Sequence, residues 1–303
     1  MGASLTVPES SGGRNLAQEL RRNVKVMSRA ERRIARALFL SNFEAGLMSV
    51  ANLAALANVS GPTVIRFTTT LGYSSYKDFQ NSAARQHDES IESPATLYER
   101  VTQSPARPTT GDVISSVLSR TKSTLEMIDI EEFDKIARIL GDRRRNLYTL
   151  GGQSTVFFAD LLAARLFQVR PSVQSIRSHS MGFCREDLLP FIGNRDVLFA
   201  FDFRRYQKST IEFCQIAAEQ DATVILMTDM WLSPIADFAS QVLVIDSETD
   251  GPYDFLTPCM ALLDTLQEAV LANSNFDEVR KRIRLCEKYP RGLVGEEGTD
   301  HTS

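Results

Sequence analysis

Residues 49–73 read Ser49-Val50-Ala51-Asn52-Leu53-Ala54-Ala55-Leu56-Ala57-Asn58-Val59-Ser60-Gly61-Pro62-Thr63-Val64-Ile65-Arg66-Phe67-Thr68-Thr69-Thr70-Leu71-Gly72-Tyr73. Ser49 and Ser60 are N-cap residues, each opening a short helix. Pro62 lies close to the start of the second helix, where a missing N–H costs little. Between the helices stands Asn58, the best residue after glycine for a left-handed backbone. Leu53, Ala54 and Ala57 can pack from the first helix, Val59 can plug the corner, and Val64 and Phe67 can face inward from the second. Two helices meeting at a sharp angle need small or apolar residues at these points, so the stretch predicts a helix-turn-helix.

That packing leaves Ser60, Gly61, Thr63, Arg66 and Thr70 on the outer face of the second helix, the face that such motifs place in the DNA major groove. Arg66 can bond guanine bidentately. Ser60 and Thr63 lie at a helix N-terminus, where phosphate oxygens are readily bonded. Tyr73, Tyr76 and Lys77 are expected to flank the DNA backbone.

Upstream, Ser28-Arg29-Ala30-Glu31 has the form of a capping box. The charge distribution agrees with a polyanionic partner. Residues 1–90 hold 11 Lys/Arg against 7 Asp/Glu, net +4, while the whole chain has 34 against 38, net −4. A basic end on an acidic body suits nucleic acid.

Downstream, Pro94, Pro105, Pro108 and Gly111 mark a linker. From Asn146 the texture changes. Apolar runs at 146–150, 173–176, 197–201, 223–227 and 241–245 alternate with helical stretches at 155–168, 180–190, 208–219 and 233–239. Such alternation predicts a parallel sheet with helices on both faces. The expected organisation is an all-α DNA-binding domain over 1–90, a helical linker over 91–123, an α/β domain over 124–290 and a tail over 291–303.

Two stretches of the α/β part suggest a ligand. The run 147–150 is followed by Gly151-Gly152-Gln153-Ser154-Thr155, a strand-to-helix glycine turn that offers backbone N–H groups to an anion. The run 197–201 ends in Asp202-Phe203-Arg204-Arg205-Tyr206-Gln207-Lys208-Ser209-Thr210, at the carboxyl end of a strand. Gly152, Gln153, Ser154, Thr155, Arg204, Arg205 and Ser209 are the candidate effector contacts. No G-x-G-x-x-G is present, so a dinucleotide is not expected.

The 303-residue length is in keeping with roughly two domains, and 43% apolar residues provide for a core. No apolar run reaches the ~18 residues of a membrane-spanning helix, and Met1–Gly13 lacks the pattern of a secretory leader. Four cysteines without a C-x-x-C and three scattered histidines give no metal site. No cofactor is expected, and a cytoplasmic location is.

Ser28-x-x-Glu31-Arg32-Arg33-Ile34-Ala35, the Leu53-to-Tyr73 pattern and Tyr76-Lys77-Asp78-Phe79 together resemble the RpiR-type bacterial transcription regulators. These join an N-terminal helix-turn-helix to a C-terminal sugar isomerase (SIS) domain. The resemblance implies homodimers or homotetramers, a double-stranded DNA operator, and a sugar phosphate as the effector that controls carbohydrate catabolic genes. In that family the first glycine turn ends in a serine, which Ser154 matches. The second signature is usually S-x-S-G-x-T, and here Asp202-Phe203-Arg204-Arg205-Tyr206-Gln207 stands in its place. An aspartate where phosphate would sit is repulsive unless Arg204 or Arg205 offsets it, so another small anion as effector, or a vestigial pocket, is the alternative. The competing reading is a sugar-phosphate isomerase, or a non-catalytic phosphosugar-binding protein. Enolisation would need a base, and His179 and Glu186 are the candidates.

Overall fold

The computed structural model describes residues 16–23, 26–41, 43–90, 108–177, 179–180, 183–203, 206–247, 249 and 254–287. The first of these stretches form five α-helices: α1 (Leu16–Asn23), α2 (Arg29–Leu40), α3 (Val50–Leu56), α4 (Gly61–Thr70) and α5 (Tyr76–Ser90), with a 3-10 turn at Glu44–Leu47. The capping box predicted at Ser28 is formed, with the Glu31 carboxylate accepting from both the Ser28 N–H and its hydroxyl.

The turn between α3 and α4 is a Schellman motif. Asn58 adopts φ 50°. Its N–H bonds Ala55 O, and the Val59 N–H reaches back to Ala54 O, which closes the last carbonyls of α3. α4 ends the same way, with Gly72 at φ 82° and the Tyr73 N–H on Thr68 O. Leu53, Ala54, Val64 and Phe67 are buried as the pattern required. Gly46 serves a purpose the pattern did not show. A Cβ there would lie 2.4 Å from the Cβ of Ala83, so only glycine lets α5 pack this closely.

Helices α6 (Thr110–Glu126) and α7 (Ile130–Gly141) precede the sheet. α6, which begins inside the stretch read as a linker, is tied to the end of the last strand. Arg120 pairs with Asp246 at 2.6 Å, and the Asp246 N–H bonds the Thr124 hydroxyl. The sheet strands are β1 (Asn146–Gly151), β2 (Val173–Ile176), β5 (Asp196–Phe201), β6 (Thr223–Asp229) and β7 (Gln241–Ile245). They are ordered β2-β1-β5-β6-β7, every neighbouring pair parallel. Helices α8 (Val156–Phe167), α9 (Lys208–Glu219), α10 (Thr257–Ala272) and α11 (Phe276–Glu287) complete this part. Strand β5 is buried along its whole length, as a central strand covered on both faces requires.

The expected helix over 180–190 does not form. His179–Ser180 (β3) and Phe183–Cys184 (β4) pair as a short antiparallel hairpin, and Arg185–Phe191 is a 3-10 turn. Pro190 stands inside that turn, where its missing N–H and its ring oppose an α-helical ladder. The expected helix over 233–239 is likewise only a 3-10 turn, Pro234–Asp237. Among the described residues no helix is long and apolar enough to cross a membrane.

Candidate nucleic-acid interface and effector site

The DNA-facing candidates divide into two groups. Ser60 and Arg66 are exposed and Gly61, Thr63 and Thr70 half-buried, all on the outer side of α4. The Ser60 and Thr63 hydroxyls lie 2.8 Å apart, and Ser60 Oγ caps the Thr63 N–H. Thr70 donates its hydroxyl to Arg66 O at 2.7 Å, leaving its oxygen as an acceptor only. Lys77 is exposed on the first turn of α5.

Tyr73 corrects the expectation. It is 5% exposed, and its hydroxyl bonds Glu19 Oε2 at 3.1 Å and Ser82 Oγ at 3.0 Å. Gly72 turns the chain inward after α4, so Tyr73 ties α1 to α5 instead of flanking DNA. Tyr76 is half-buried and donates to Met48 O at 2.9 Å.

The effector candidates gather at the carboxyl ends of β1 and β5. From β1 the chain crosses to β2 on one side, and β5 lies on the other. The crevice between β1 and β5 is therefore the topological switch point of the sheet, where open α/β folds bind ligands. Gln153 and Ser154 are exposed on the turn into α8, and Gly152 and Thr155 are buried beneath them. The Thr155 hydroxyl donates to Phe201 O and accepts from the Gly152 N–H, tying the turn to β5.

The side chain of Gln207 fills the turn. Its Oε1 accepts from the Gln153 N–H at 2.8 Å, and its Nε2 donates to Ser209 Oγ at 3.1 Å. A Cβ on Gly152 would fall 2.8 Å from that Oε1. The second glycine is thus the room that Gln207 uses. Ser209 also accepts from Arg185 Nη2 at 3.0 Å, while Arg185 Nη1 reaches the Thr210 hydroxyl. Arg185 is 0% exposed, packs over the Phe213 ring, and has the half-exposed Glu186 at 3.3 Å. Gly152, Gln153, Thr155 and Ser209 are thereby brought together with Gln207 and Arg185. Arg204 and Arg205 lie outside the described residues. Lys208 pairs with Glu212 on its own helix.

Asp202 is turned into the protein. It is 2% exposed, and both its oxygens are taken up internally. Oδ1 accepts from the Gln207 N–H at 3.3 Å, and Oδ2 accepts from the Ser233 hydroxyl. Burial pushes its carboxyl up to about 7 and the neighbouring Asp229 adds to this, while the bonds from Ser233 and Gln207 oppose it. Tyr206, four residues on, donates to Asp229 Oδ1 at 2.7 Å. Burial, then Asp229, holds its hydroxyl well above the usual tyrosine range.

Sequence reasoning passed over Gln207, Arg185 and Ser233 as contacts. Gln207 could have been found, since it holds the last position of the altered second signature. Arg185 and Ser233 carry no local signal, because their partners lie 24 and 31 residues away in the chain.

A helix-turn-helix joined to a parallel α/β domain with a glycine turn at its switch point defines a two-domain DNA-binding regulator. Residues 14–89 match the model of the helix-turn-helix domain of the rpiR family, and residues 140–269 match the SIS domain. The chain belongs to the RpiR family of transcriptional regulators. It is 23% identical over 265 residues to the Escherichia coli HTH-type transcriptional regulator HexR, covering 83% of this chain and 84% of that one. An uncharacterized HTH-type transcriptional regulator of Haemophilus influenzae is 21% identical over 72% of this chain and 75% of its own length. The sugar isomerase domain of an RpiR transcription factor from Sphaerobacter thermophilus shares the fold. It has a TM-score of 0.52 at 18% identity, covering 58% of this chain and 96% of that one.

Proposed function

We propose that this regulator binds its operator through the outer face of α4 and senses a small anion, a sugar phosphate first among the candidates, at the β1/β5 switch point. The observation that carries the reading is the outer face of α4. Ser60, Thr63 and Arg66 are presented outward on a helix whose two ends are capped and whose inner face is buried. The glycine turn, Ser154 and the N-terminus of α8 support the anion. Two copies of the chain would set two such helices on half-sites about 34–36 Å apart, or a multiple.

Catalysis is not part of this reading. The Glu186 carboxylate is paired with Arg185, and the side chain of His179 lies outside the described residues.

Selection of bound fragments from genomic DNA, with the wild type and Arg66→Ala compared across a salt series, tests the proposal. The expected result is sequence-selective, steeply salt-dependent binding. The variant should lose about 1–3 kcal/mol of discrimination. Equal selectivity in the variant would remove α4 as the reading helix. Turnover of a sugar phosphate by the intact protein would overturn the non-enzymatic assignment.

A further inference from the structure

We infer that the loop Asp229–Asp237 is the seat on which the helix-turn-helix docks within its own chain, and that Asp202 and Tyr206 couple this seat to the effector turn. The inference rests on the effector reading above for its biological use, though the seat and the coupling are testable without effector or DNA.

The seat is defined by α2. Arg33 Nε pairs with Asp237 Oδ1 at 2.9 Å, and Arg36 Nη2 pairs with Asp237 Oδ2 at 3.2 Å. Arg29 donates to Ala236 O and Arg36 to Leu232 O. Two guanidinium groups thus share one carboxylate, and two loop carbonyls are capped by cations. The Phe39 ring lies 4.4 Å from the ring of Trp231, and Met230 and Trp231 are buried in the core of the N-terminal domain. The basic face of α2, part of the charge that pointed to nucleic acid, is here spent on protein. Leu232 sits at φ 63°. This left-handed conformation is strained for a leucine, and it occurs where the Leu232 carbonyl meets Arg36. Such outliers persist where surrounding contacts over-determine them, as in switch segments.

The coupling is defined by two residues of the altered segment, Asp202 and Tyr206. Asp202 accepts from the Ser233 hydroxyl, Ser233 Oγ in turn accepts from the Ile235 N–H, and Thr228 Oγ1 bonds both Asp202 O and the Ser233 N–H. Asp229 Oδ1 accepts from the Tyr206 hydroxyl and from the Trp231 N–H. At the other end, the Gln207 N–H sits on Asp202 and the Gln207 side chain occupies the Gln153 N–H. A ligand oxygen that takes the Gln153 N–H has to displace Gln207, and Gln207 is one residue from Tyr206. Arg33 carries the connection onward, since its Nη1 donates to Asn58 O at 3.1 Å, in the turn between α3 and α4. A ligand shifts this equilibrium only through a difference in affinity between docked and released forms, and Gln207 is where that difference is generated.

The molecule contains a single tryptophan, and it sits in the seat. Collisional quenching of Trp231 fluorescence, together with hydrogen exchange of the α2 amides, reads docking directly on the full chain. Asp237→Asn, a half-exposed change that leaves the core intact, is expected to raise the quenching constant at least two-fold and to speed α2 exchange. Tyr206→Phe and Ser233→Ala each remove one coupling hydroxyl while keeping nearly the same volume, and are expected to move both readouts in the same direction. Trp231 as accessible in the wild type as in Asp237→Asn would overturn the seat. A response to Asp237→Asn with none to Tyr206→Phe or Ser233→Ala would overturn the coupling. Failure of the DNA selection experiment touches neither result, so the two readings fall separately.

Discussion

The turn between α3 and α4 and the loop after β5 do comparable jobs, yet they are held in opposite ways. The α3–α4 turn is closed almost entirely by near neighbours. Ser60 caps Thr63, Asn58 supplies the left-handed residue, and Val59 bonds back to Ala54. The loop after β5 is held by distant ones. Gln207 reaches Gln153 across 54 residues, Asp202 reaches Ser233 across 31, and Tyr206 reaches Asp229 across 23. A locally closed turn makes a rigid module that carries its geometry wherever it is moved. A loop closed by distant partners makes a junction, because displacing any one partner is felt in the others. The helix-turn-helix is built as the first kind and the loop at the switch point as the second.

The sharpest way to break the comparison is to empty the core behind the local turn. Phe67→Ala removes a fully buried ring that packs edge-on to Phe79. It should cost about 3–5 kcal/mol. Thermal unfolding should then show an early N-terminal transition and a later one for the α/β domain. A single cooperative loss would instead mean that the docking contacts fuse the two domains into one unit.

A second effect belongs to the junction. The folded-state carboxyl of Asp202 stands near 7 rather than at its usual 3.8, so between these values the native state binds the extra proton. The stability this group contributes is therefore full below about pH 4 and is lost as pH rises toward 7, after which it levels off. The slope is at most about 1.4 kcal/mol per pH unit. Asp202→Asn should flatten the denaturation midpoint over that window. An unchanged pH profile would mean that Asp202 is not the titrating group.

The smallest effect sharpens the local side. Asn58→Ala should cost about 1 kcal/mol through its left-handed backbone, while Asn58→Gly should stay within a few tenths. Chemical denaturation measures both. A large loss in the glycine variant would show that the asparagine side chain, and not its backbone, holds the turn.

The same contrast explains what was legible in the sequence. The caps at Ser28, Ser49 and Ser60, the left-handed Asn58 and the stop at Gly72 are short-range events, and each announces itself within a few residues. The five strands were legible because each is a buried apolar run bounded by turn residues. The glycine turn at 151–155 was legible for the same reason. Tyr73 was misread because its partners, Glu19 and Ser82, are brought in by folding and not by spacing. Asp202 was read as a repulsive residue in a phosphate site because its actual partner, Ser233, belongs to another strand's loop. The helix expected over 180–190 failed where Pro190 and a two-residue hairpin outweighed the apolar pattern.

The 204 residues that separate Arg33 from Asp237 also set a clock during synthesis. At about 5–20 residues per second, α2 leaves the ribosome roughly 10–40 s before its counter-carboxylate exists. For that interval the α3–α4 module is complete while Arg29, Arg33 and Arg36 remain uncovered on a nascent chain surrounded by polyanionic RNA. The order of translation therefore exposes the basic face of α2 first and covers it only when β6 and the loop after it have been made.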